Sequence, residues 1–74
     1  MAKSSFGAGI ATNLLRFAKD EGIRSALNKA ENWRDSLEEM AEIANTPQQN
    51  SIELVLVPIK YAISLLVKRL EDRS

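Results

Sequence analysis

The 74-residue sequence has no cysteine and no histidine. The first absence excludes disulfides and thiolate metal sites, and the second removes the commonest transition-metal ligand and the usual general base. An excess of one charge is missing too. Ten basic and ten acidic residues cancel, so the chain as a whole exerts no electrostatic pull on nucleic acid or on anionic lipid. No uninterrupted apolar run is long enough to span a bilayer: Leu54 to Val67 is 14 residues against the ~20 a spanning helix needs, and it contains Lys60. No internal repeat or low-complexity tract is present.

These absences direct attention to association. A domain this short buries only about 60% of its unfolded surface, so a lone core is marginal, and with disulfides and zinc excluded the remaining source of stability is a second surface. The N-terminal stretch "MAKSSFGAGIATNLL" has one early Lys3 and a glycine-interrupted apolar run that is weak as a signal-peptide core, with no convincing cleavage pattern after it. A cytoplasmic location is expected, with membrane association as the alternative.

Three segments are separated near Gly22 and across "ANTPQQNS", each with helical periodicity. In the middle segment the apolar positions Ile23, Ala26, Ala30, Trp33, Leu37, Met40 and Ala44 alternate steps of three and four, with charges between them. Trp33 is thereby expected in a buried helix interface, flanked by alanines that let a neighbouring helix come close. The first segment has a stripe of Ile10, Leu14 and Phe17 that breaks phase at Gly22, where a left-handed cap is expected, with Ile23 packing back near Ala18 and Phe17. The second boundary carries a T-P-x-Q capping pattern at Thr46, and Asn50 with Glu53 offers another a turn later.

"ELVLVPIKY", residues 53–61, sets a proline in the most apolar stretch of the chain. Ile52, Leu56, Ile59, Ile63, Leu66 and Leu70 nonetheless keep the helical alternation across it, which predicts a kinked helix despite a cost of about 3 kcal/mol for interior proline. The alternative is an extended segment at 52–57, favoured by its β-branched residues. No other run resembles a strand, so its partner would have to be another subunit. On the helical reading, Leu54, Tyr61 and Leu65, with Pro58 between them, form a second apolar stripe on the opposite side.

The fold class predicted is all-α, with two to three helices at about 6–21, 23–45 and 50–71. They form a hairpin or bundle completed by self-association, in a single domain over 1–74 whose first few residues are disordered. The residues expected at interfaces are Trp33, Leu37, Met40, Leu54, Leu56, Ile59, Tyr61, Ile63, Leu65, Leu66 and Leu70. In an antiparallel hairpin centred near residue 48, Lys60 falls opposite Asp35 to Glu38, and Arg24 opposite Glu71 and Asp72.

Chemistry-bearing patterns are few. "GAGIAT" lacks both a preceding strand and the third glycine of a phosphate loop, and reads as a closely packed helix start. Asp35, Glu38, Glu39 and Glu42 cluster over two turns, but the helical di-metal pattern needs Glu-x-x-His, so a solvated acidic face is the expectation. The serines have no base to activate them. Arg16, Lys19 and Arg24, and Lys68, Arg69 and Arg73, are the only basic groupings, without interleaved aromatics for stacking. The latter group suits either a helix C-terminus or lipid headgroups. The function expected is that of a small self-associating helical interaction or scaffold protein, with no catalysis and no cofactor. Its partners are copies of itself and other proteins. A peripheral membrane-surface protein using the 54–67 face is the runner-up, and a small nucleic-acid-binding regulator comes third.

Overall fold

The computed structural model describes residues 5–73, with side chains over 9–72. The expected disorder of the first few residues lies largely outside that range. Three helices follow in order: α1 (Ser5–Glu21), α2 (Ile23–Ile43) and α3 (Thr46–Arg73). The described residues contain no strand, so the extended alternative at 52–57 is overturned. Its reason is visible in the packing. Leu56, Ile59, Ala62 and Leu66 are all buried, and only helical geometry aligns that spacing on one side.

Gly22 alone joins α1 to α2. Its N–H donates to the Ala18 carbonyl at 2.9 Å, closing the last turn of α1, while its own carbonyl accepts from Ala26 N–H at 3.1 Å, opening α2. The expected interruption is present, but with φ 103° and ψ 151° the residue is extended beyond the left-handed helical region, in territory open essentially to glycine. Ile23 and Phe17 do pack beside Ala18, on the cluster it forms with Ala26 and Leu66.

The turn between α2 and α3 comprises Ala44 and Asn45. α2 stops at Ile43 rather than about 45, and α3 begins at Thr46, at the first of the two capping patterns rather than near 50. The cap is neither Thr46 nor Asn50. Asn45 Oδ1 accepts the Gln48 N–H at 3.2 Å, and Pro47 sits in the first turn, where its missing N–H costs nothing. Gln49 Nε2 then donates to the Ala41 carbonyl at 2.7 Å, satisfying one of the acceptors that the end of α2 leaves free.

Among the described residues the core is built around two small clusters, with Leu56 buried beside them. Leu14 packs with Ala30, Ile59 and Ala62, while Ala18 packs with Ala26 and Leu66. As numbers rise along α1 they rise along α3 and fall along α2, so α1 is antiparallel to α2 and parallel to α3. The molecule measures 42 × 31 × 17 Å. Its long dimension matches that of α3 alone, about 42 Å for 28 residues at 1.5 Å each.

The uninterrupted apolar run of 14 residues thus sits within a longer helix. By length and composition α3 is apolar enough to cross a membrane, a test that core helices of soluble proteins also pass. Pro58 lies inside the helix and leaves the Leu54 carbonyl without its i+4 donor. Leu54 itself is exposed, on a side of the helix that water can reach.

Candidate interaction surfaces

The eleven expected interface positions separate into three environments. Leu56, Ile59 and Leu66 are fully buried between the helices, and Leu37, Ile63, Leu65 and Leu70 are half-buried. Trp33, Met40, Leu54 and Tyr61 are exposed. For Trp33 this corrects the expectation of burial within the chain, since its side chain is 39% exposed. Ala26 and Ala30, earlier on the same stripe, are fully buried, while the indole lies at the rim. There Lys29 Nζ stands 5.3 Å from the Trp33 ring and 4.9 Å from the Phe17 ring, an ammonium shared by rings from α1 and α2. The spacing of Lys29 and Trp33, one helical turn apart, was a signal for this pairing; the involvement of Phe17 required the fold.

Beside Trp33 is an open cleft of about 330 Å³, walled by Ile10, Leu37, Val55 and Ile59, with Ser36 the one polar residue in its lining. Farther along, Met40 and Ile43 border a second depression with Ile52. Ile43, which the periodicity of α2 did not single out, is the most exposed of the large apolar side chains among the described residues, at 88%. It falls on the last turn of α2, between the half-buried Ala41 and Ala44.

The second surface is the outer side of α3. Leu54 is 71% exposed, Val57 66% and Tyr61 60%. With Pro58 and the half-buried Leu65 they form a stripe almost opposite the buried Leu56, Ile59, Ala62 and Leu66. The two-sided character read from the sequence is therefore present in the folded chain. Val57 joins it because a helical stripe that includes Leu54 and Tyr61 also passes through the position between them.

The charged groups pair locally. Lys60 Nζ meets Glu38 Oε2 at 3.2 Å, as the hairpin register predicts, and Arg34 Nε meets the adjacent Asp35 at 3.1 Å. Arg24 makes no ion pair with Glu71 or Asp72 among the described residues, so that part of the register expectation is not met. Among the described residues no three carboxylates converge to hold a cation. Lys19 of α1 and Arg69 of α3 line one open cleft together with Asp72. The fold thus brings members of the two basic groupings to one end of the bundle, with Asp20, Glu21, Glu71 and Asp72 interspersed among them along the chain.

Comparison of the chain with protein-family models, with curated proteins and with solved structures finds no match. Physical properties of these surfaces therefore carry the functional reading.

Proposed function

We propose that this chain is a self-associating helical interaction module. The observation that carries the reading is the outer side of α3, where Leu54, Val57 and Tyr61 stand largely exposed and in line on a chain with a small core. Contiguous apolar patches on soluble monomers tend to mark interaction sites, and a domain of this size gains much of its stability by covering them. Burying a side chain of this type contributes roughly 1.5–3 kcal/mol, so a dimer that covers the three on each copy has a driving force comparable to the stability of a small domain. Sedimentation equilibrium at micromolar concentration tests it: a multiple of 8.2 kDa supports the reading, and a sharply folded monomer at every concentration rejects it.

A second reading is favoured by the length and apolar composition of α3. On it, the same stripe lies in a lipid surface with Lys68 and Arg69 at the headgroups. Flotation with anionic vesicles distinguishes the two, since a module that only self-associates stays at the bottom of the gradient.

A further inference from the structure

We infer that the partner of the outer α3 stripe is the same stripe on a second copy, in antiparallel orientation about a two-fold axis near residue 59. This rests on the self-association proposed above and specifies its geometry. The charge distribution along the stripe selects the orientation. The stripe positions Leu54, Val57, Pro58, Tyr61 and Leu65 carry no charge themselves; Glu53 and Lys60 stand a heptad apart on the flank that faces α2, where Lys60 is paired with Glu38, and Lys68 lies in line with the stripe at its C-terminal end. Antiparallel self-pairing brings Lys68 of each copy to the Glu53 end of the other, twice by symmetry, and opposes the two helix dipoles. A parallel pair sets Lys68 against Lys68 in the seam.

The apolar groups select the register. Centring the pair near residue 59 lays Val57 against Tyr61 of the other copy, again twice, and brings Leu54 to Ser64 and Leu65. Shifting it by a heptad toward the N-terminus leaves Tyr61 opposite Asn50 and Leu65 outside the contact. The chosen register brings the two Lys60 residues near the axis. Each is turned toward α2 by its ion pair with Glu38 of its own chain, which offsets their repulsion.

Because the chain has no cysteine, single thiols report the geometry directly. Leu54→Cys mixed with Ser64→Cys should give a disulfide-linked dimer under mild oxidation, and Leu54→Cys alone should give little. Charge exchange provides an independent measurement. Glu53→Lys alone and Lys68→Glu alone should each dimerise about tenfold more weakly than wild type, through two repulsive contacts each. Their equimolar mixture should recover to within about threefold of wild type, as a heterodimer identified by isotope labelling. Circular dichroism of each variant establishes that the helices persist. A wild-type monomer at all concentrations overturns both this inference and the function proposed above. A wild-type dimer in which Leu54→Cys links to itself, or in which mixing the charge variants recovers nothing, overturns only the antiparallel α3 pairing.

Discussion

Gly22→Ala and Gly9→Ala make the same chemical change and should move stability in opposite directions. At neither position would the added methyl meet a packing neighbour within 4 Å beyond the adjacent backbone, so packing is removed from the comparison and the backbone decides. Gly9 lies inside α1, where alanine is the better helix former, and its replacement should stabilise by about 0.5–1 kcal/mol, partly by restricting the unfolded chain. Gly22 has φ 103° with ψ 151°, a conformation that costs an L-residue about 1–3 kcal/mol. In a domain of this size 1 kcal/mol corresponds to roughly 4–8 °C in Tm. Gly9→Ala should therefore melt a few degrees above wild type, and Gly22→Ala about 5–15 °C below it. Thermal unfolding by circular dichroism at matched concentration measures both, the matching being required because association contributes to Tm. D-alanine introduced at position 22 by chemical synthesis accommodates the positive φ and should restore most of the loss. A Gly22→Ala variant as stable as wild type would refute the assignment of the joint to this one strained residue. It would mean that α1 and α2 can continue as one helix without loss.

Leu66→Ala removes a side chain with no exposure from the cluster it shares with Ala18 and Ala26, and should cost about 2–5 kcal/mol in chemical denaturation. Pro58→Ala returns a donor to the Leu54 carbonyl inside α3 and should stabilise by up to about 3 kcal/mol, with helicity held or increased by circular dichroism. Gln49→Ala leaves the Ala41 carbonyl without its 2.7 Å donor and should cost about 1 kcal/mol, whereas Lys60→Met, at an exposed ion pair, should cost less than that and show little dependence on salt once made. Trp33→Ala, with the indole at the rim, should cost less than the 3–5 kcal/mol of a buried large-to-small change, measured in the same unfolding experiment.

The helices were legible where apolar spacing and burial coincide. Ala26, Ala30, Leu56, Ile59 and Leu66 all lie on the stripes that the sequence displays, and the phase break at Gly22 marked the joint because no apolar residue continues the stripe of α1 past it. Periodicity failed for Trp33 because it gives direction without depth: a side chain can lie on the core-facing side of a helix and still project past the edge of its neighbours. The patterns at Thr46 and Asn50 left the start of α3 open over about a turn, and the cap that the fold uses, Asn45, lies one residue before the first of them. The pairing of Lys29 with Phe17 joins residues on different helices whose relation exists only after folding. The outer stripe of α3 was legible for a simpler reason, in that two apolar stripes on one helix cannot both face the same pair of neighbours.

Among the described residues, four of the eight buried side chains, Ala18, Ala26, Ala30 and Ala62, are alanines. A truncation scan, which finds a core by cutting side chains back to the β-carbon, has nothing to cut at these positions and would score half of this core as silent. Sensitivity there lies in the other direction. A single added isopropyl group at Ala26 or Ala62, each without exposed surface, has no void to enter and must push two helices apart, at a cost of typically about 1–3 kcal/mol. Mutational tolerance in this chain therefore has to be mapped by enlargement, and the smallest side chains are the ones through which variation would be most tightly restricted.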